Sequence, residues 1–187
     1  DAYLASAEAR FEDLRPGNER QIIWAYPASR ARTPVAIVYI HGYSASPGEL
    51  RPLPDMGAQR LGANLYFARL RGHGRGGDAM LEGSVHRWVD DFAEAVAIGR
   101  RLGERVVVMA TSTGASLTTW AATQPALMRD VVGLVQFSPN YGIQASGSGL
   151  LTMPWAEQLV QLIVGERRAF ETRNELHRQF WTYEYPS

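Results

Sequence analysis

Arg105-Val106-Val107-Val108-Met109-Ala110-Thr111-Ser112-Thr113-Gly114-Ala115-Ser116-Leu117 decides how this chain is read. Four apolar, mostly β-branched residues run into a turn of small residues, and a helix-forming run follows. That order reads as a buried parallel strand, a sharp turn and a helix start. Ser112 stands at the tip of the turn. A serine held there exposes its hydroxyl above the sheet, and its neighbours must be small because strand and helix backbones approach closely. The pattern is that of a nucleophile elbow, G-x-S-x-G, with Ala110 in place of the first glycine and Gly114 as the second. Alanine is still small enough for such a turn. Taken alone, Ser112 also reads as an ordinary serine capping a helix start, so the surrounding chain has to decide.

Upstream, Val35-Ala36-Ile37-Val38-Tyr39-Ile40 is a continuous apolar run, as in a strand covered on both faces. It ends in His41-Gly42-Tyr43-Ser44. Gly42 lets the chain turn and aims backbone N–H groups into the space above the sheet, where an oxyanion hole would be built. The N–H of Tyr43 is the candidate donor. His41 is still at the strand end, poorly placed for proton transfer, and reads as a hydrogen-bonded structural residue. Further strands are expected over 63–68 and 131–137. Helices are expected over 47–61 (interrupted near Pro52 and Pro54), 85–102 and 113–123. This alternation across 35–137 predicts an α/β fold with a mostly parallel, doubly wound sheet and helices on both faces. Sites in such sheets form at the carboxyl ends of strands, where His41, His73, Ser112 and Asn140 all fall.

The flanks are less decisive. Residues 3–14 have helical spacing, and Gln21–Tyr26 reads as a first, antiparallel strand. The loop Arg69–Asp78 carries four glycines and three arginines, but the order of a phosphate-binding P-loop is absent. It reads as shaping the upper edge of the sheet, with His73 structural. Asp90 and Asp91 read as solvated or capping carboxylates. From Tyr141 the character changes to a small-residue loop over 142–149 and two amphipathic segments, 153–164 and 167–180. The expected division is therefore a core over 1–140 and a helical cap or lid over 141–187. An apolar cap would shelter an acyl chain from water, although plain packing of two helices explains the same pattern.

Composition narrows the function. The 187 residues are 45% hydrophobic with 19 basic and 19 acidic side chains, so no charge excess points to nucleic acid or an anionic membrane. Cysteine is absent, which removes disulfides, thiolate metal sites and a cysteine nucleophile. No metal or organic cofactor is implied. No run reaches the ~18 apolar residues of a transmembrane span. The chain begins at Asp1, leaving the compartment open between the cytoplasm and, if an upstream signal was removed, an extracytoplasmic space.

Together, His41-Gly42-Tyr43-Ser44, Arg71-Gly72-His73-Gly74, Trp88 with Asp91, and Thr111-Ser112-Thr113-Gly114 resemble the α/β-hydrolase superfamily, most closely its bacterial lysophospholipase/monoacylglycerol-lipase-like serine hydrolases. The resemblance covers about residues 20–140 and the start of the lid. It implies Ser112 as nucleophile, an oxyanion hole from the N–H groups of Tyr43 and Thr113, and a carboxylic or lipid-like small-molecule ester as substrate. It also implies a catalytic acid and a histidine following the serine, beyond the lid. After Ser112 the only aspartate is Asp130 and the only histidine is His177, and neither falls at the family's position. Three expectations follow. The acid and base lie on a further or separate C-terminal segment that completes the fold; or an irregular base such as His73, His86 or His177 serves; or the chain is a non-catalytic binding or scaffold protein on the same fold. On the first, the isolated chain is expected to associate through its open sheet edge.

Overall fold

The computed structural model describes residues 2–142, 149, 153–169 and 174–186. Five strands form one sheet: β1 (Gln21–Ile23), β2 (Thr33–Ile40), β3 (Asn64–Phe67), β4 (Gly103–Thr111) and β5 (Val131–Phe137), in the order β1-β3-β2-β4-β5. β1 runs antiparallel to β3, and the β3–β2, β2–β4 and β4–β5 pairs are parallel. The mostly parallel α/β sheet expected from the strand and helix alternation is thus present.

The apolar run of β2 is continuous because both faces of this strand are covered. Successive side chains of a strand point to opposite faces. Ala36, Val38 and Ile40 pack with Val106, Val108 and Ala110 of β4 against Phe92 and Val96 of α3 (Val85–Leu102). Ile37 and Tyr39 pack on the other face with Leu65, Phe67 and Ala58 of α2 (Leu53–Leu61). α3 begins where Ser84 Oγ accepts the N–H of Arg87, an N-cap that fixes the helix start. α4 (Ser112–Ala121) joins α3 on its face of the sheet.

Several boundaries differ from expectation for identifiable reasons. The first helix, α1, spans only Ala2–Glu8. Its last residue is drawn into buried ion pairs with Arg69 and Arg20, and Phe11 lies under the Arg69 and Arg75 guanidinium groups. α2 starts only at Leu53, after Pro52 and with Pro54 in its first turn, not at Pro47. In the expected cap, α5 is Ala156–Val164 and stops at Gly165, which has φ 91°. The second amphipathic segment is not one helix. Arg167–Ala169 is a strand, β6, pairing antiparallel with β7 (Glu184–Pro186), and among the described residues of the segment Glu175–Phe180 is helical, as α6. Arg167 reaches Glu184 across that ladder at 2.7 Å and Asp78 at 2.6 Å. The loop expected over 142–149 lies, apart from Gly142 and Gly149, outside the described residues. No helix among the described residues is long and apolar enough to cross a membrane.

Candidate active site

β4 ends at Thr111 and α4 begins at Ser112 with no intervening loop. Ser112 takes φ 49°, left-handed backbone that costs a non-glycine residue of order 1–3 kcal/mol and has to be held by its surroundings. What holds it is close packing. A Cβ on Gly114 would lie 2.4 Å from the His41 carbonyl oxygen and 2.7 Å from that of Ile40, so only glycine lets α4 sit on the end of β2. Ala110, fully buried, is in register with Ile40 and Gln136. The Ser112 carbonyl accepts the Asn140 N–H at 3.3 Å, which ties the end of β5 to the turn.

Gly42 lies directly against the serine. A Cβ there would be 3.2 Å from Ser112 Cβ and 3.4 Å from Glu49 Oε2. The Tyr43 amide, one peptide bond on, is therefore beside the elbow. Thr113 is in the first turn of α4, where backbone N–H groups have no intrahelical acceptor. The Tyr43 ring is held edge-on by His73, Trp88 and Tyr185 at 5.5–6.1 Å between centroids. The structure thus brings Ser112, Thr113, Gly114, Ala110, His41, Gly42 and Tyr43 to one corner of the sheet.

No histidine side chain is hydrogen-bonded to the elbow among the described residues. His41 Nε2 accepts the Leu70 N–H at 3.0 Å, so the proton is on Nδ1, which donates to the Gly42 carbonyl at 2.8 Å. Full burial and the neighbouring His73 push its pKa well down, and it stays neutral. His73 donates from Nδ1 to the Arg71 carbonyl, and burial lowers it to about 4. His86 is exposed at the start of α3, and exposed His177 packs its ring on Trp181. Among the described residues none of the four hydrogen-bonds Ser112. Asp130 is also exposed and within 3.7 Å of Arg100 and Arg129.

Asp91 departs from the reading as a solvated carboxylate. It is buried, accepts the Arg71 N–H at 2.7 Å and pairs with Arg71 Nε at 2.9 Å, while Trp88 Nε1–H donates to the Arg71 carbonyl. Trp88 and Asp91 therefore anchor the 69–74 loop. Each arginine of that loop region is matched: Arg69 by Glu8, Arg71 by Asp91, Arg75 by Asp13 and Glu82. That leaves this corner no surplus of positive charge for a phosphate.

Glu49 is the residue that sequence reasoning passed over. Its Oε1 accepts the Gly42 N–H at 2.6 Å and the Tyr39 hydroxyl at 2.8 Å. Burial pushes its carboxyl up to about 7 against the pull of those two bonds. The only signal was a lone carboxylate in the small and apolar stretch Tyr43–Leu50. Because the folded-state pKa lies above the ordinary 4.5, the neutral form is favoured by folding. That stability is complete below about pH 4.5 and is lost as pH rises through about 7. Relative to Glu49→Gln, the wild type should lose about 3 kcal/mol of unfolding free energy across that interval. Urea melts at stepped pH check this, and a difference that stays constant with pH would refute it.

Beside the elbow, Val85, Trp88, Val89, Leu117 and Trp120, together with His86, Asp90, Thr113 and Ser116, line a mostly apolar hollow of about 550 Å³.

A model of the alpha/beta hydrolase family matches residues 37–186, and the chain belongs to that family. A thermostable monoacylglycerol lipase of Bacillus sp. (strain H-257) is 27% identical over 126 residues, which is 67% of this chain and 49% of the relative. The chain therefore spans about half the length of that curated relative. Among solved structures, one from the metagenome-derived lipolytic enzymes LipS and LipT superposes with a TM-score of 0.69 at 19% identity, over 92% of this chain and 65% of the other. The monoacylglycerol lipase of Paleococcus ferrophilus gives 0.55 at 14% identity, over 89% and 65%. At these identities the structural likeness speaks for the fold.

Proposed function

We propose that this protein is a serine hydrolase of carboxylic or lipid-like esters, with Ser112 as nucleophile. The observation that carries the reading is the left-handed Ser112 at the β4–α4 junction, with Gly42 packed against it. Ester hydrolysis also fits the family and the lipase and esterase relatives. In the reaction Ser112 Oγ attacks the ester carbonyl carbon and gives up its proton to a general base. The carbonyl oxygen, now negative, takes hydrogen bonds from the N–H groups of Tyr43 and Thr113. Collapse releases the alcohol and leaves an acyl group on Ser112, which water then removes as the acid. Serine at its free pKa is a weak nucleophile and needs that base. On this proposal the histidine and its acid partner come from outside these 187 residues, and 141–187 contribute to a cap over the site.

The hollow lined by Trp88, Leu117 and Trp120 suits an apolar acyl chain and supports a lipid-like ester over a polar one. The test is a fluorophosphonate probe on the protein that also carries the segment supplying the histidine, followed by intact-mass and peptide analysis. One adduct on Ser112 is expected, together with hydrolysis that favours medium-chain over acetyl esters. A protein that hydrolyses such esters while labelling at another residue would sink the assignment, and one that binds them without labelling or turnover would be a binding protein.

A further inference from the structure

The loop that carries Tyr43 and the elbow that carries Ser112 come from different strands, and the reaction proposed above needs them in fixed register. Glu49 joins them at one atom. Its Oε1 accepts the Gly42 N–H at 2.6 Å, one residue before Tyr43, and the Tyr39 hydroxyl at 2.8 Å. Tyr39 Oη is in turn 2.9 Å from Thr111 Oγ1, one residue before Ser112. The phenol has one proton and it goes to Glu49, so the Thr111 hydroxyl donates to Tyr39. A chain runs from the elbow to the oxyanion loop: Thr111 Oγ1–H to Tyr39 Oη–H to Glu49 Oε1, with the Gly42 N–H completing it. Glu49 Oε2 makes none of these bonds and lies beside Gly42, on which Ser112 Cβ also packs.

We propose that Glu49 is a positioning residue for ester hydrolysis, whose Oε1 locks the oxyanion loop in register with the Ser112 elbow through Gly42 and Tyr39. The role rests on the serine-hydrolase reading and on acceptor geometry. A carboxylate, or a carboxylic acid with its proton on Oε2, presents the same acceptor at Oε1. The titratable group packed on Glu49 is Tyr39, whose own pKa is driven upward by burial and by Glu49, so it remains a neutral phenol donor. Arg51, two residues on, is turned to Asp55 and Gln21 and over the Phe67 ring.

Three single variants and one double, made in the protein that also carries the segment supplying the histidine, separate positioning from mere scaffolding. Glu49→Gln keeps a carbonyl acceptor and should hold kcat within about threefold of wild type. Glu49→Ala removes it and should lower kcat of order 10²-fold, the scale of a misplaced oxyanion donor, with KM changed by less than about threefold. Tyr39→Phe cuts only the link to Thr111 and should cost less. The double variant Tyr39→Phe/Glu49→Ala should be no worse than Glu49→Ala alone, since both act through one chain. The proposal is overturned if Gln falls as far as Ala, if Ala changes KM alone, or if the two losses simply multiply. Amide resonances give a readout that needs no turnover. The Gly42 N–H should be strongly downfield in wild type and Gln and move upfield in Ala, with Tyr43 shifting alongside. A wild type that carries the histidine segment and never hydrolyses esters would refute the serine-hydrolase reading, whereas Gly42 and Tyr43 resonances indifferent to Glu49→Ala would refute the lock itself.

Discussion

Ser112→Ala should lower kcat/KM for a short-chain nitrophenyl ester by about 10⁴- to 10⁶-fold and leave the fold intact. The two halves of that expectation come from different links. Chemically, alanine has no lone pair to form the acyl-enzyme, so what survives is the water reaction assisted by binding and the oxyanion donors. Structurally, Ser112 Oγ enters no hydrogen bond among the described residues, so its removal orphans no partner. Alanine still has to adopt φ 49°, so the strain stays. Ser112→Gly should be as inactive but more stable, by about 1 kcal/mol, because glycine takes left-handed backbone without penalty. Steady-state kinetics and thermal melts on the two variants test both halves. A loss of activity below tenfold would mean that another residue carries the acyl group, and a glycine variant that melts lower would mean that the turn is not strained.

How much of this was readable in the chain depends on whether the signal was local. The elbow was legible because its constraint is local: small residues at 110 and 114 flank a serine between a buried strand and a helix. β2 and β4 were legible because a strand covered on both faces needs an unbroken apolar run, and α3 because its apolar residues repeat at helical spacing. The misses depend on residues far apart in sequence. Asp91 looked like any acidic residue on a helix face until the Arg71 N–H, twenty positions back, arrived at 2.7 Å. The helix expected over 167–180 ignored a partner strand at 184–186 whose pairing outweighs local periodicity. Glu49 gains its place only when Tyr39, pointing out of β2, meets the loop folding back over it. Nothing in the spacing of 39, 42 and 49 announces that meeting. Keeping an ionisable side chain there at the expense of stability is the kind of local conflict that marks functional sites.

Gly114→Ala should damage both stability and activity. The new Cβ would sit 2.4 Å from the His41 carbonyl oxygen and 2.7 Å from the Ile40 carbonyl oxygen, about 1 Å short of the 3.4 Å where ordinary contact begins. Both obstacles are backbone, so no rotamer change relieves them. Either α4 lifts off the end of β2 or the His41-Gly42-Tyr43 backbone moves away from Ser112. The first route gives up packing around buried Ala115 and Ile40, and about 3 kcal/mol or more of stability is expected to go with it. The second separates the Tyr43 N–H from the serine, and kcat should fall of order 10²-fold for a displacement near 1 Å. Gly133→Ala is the matched control. It adds the same methyl to β5, where the nearest atom, Val107 Cγ2, is 3.6 Å away. That variant should be neutral, or more stable by up to about 1 kcal/mol, since it removes backbone freedom from the unfolded chain without a clash. Urea melts and kcat on the two variants decide the matter. If both behave alike, close approach at Gly114 is not what shapes the elbow. If Gly114→Ala keeps wild-type kcat while losing stability, the helix has yielded and the oxyanion loop has held, as expected if Glu49 and His41 fix that loop more firmly than α4 is fixed to the sheet.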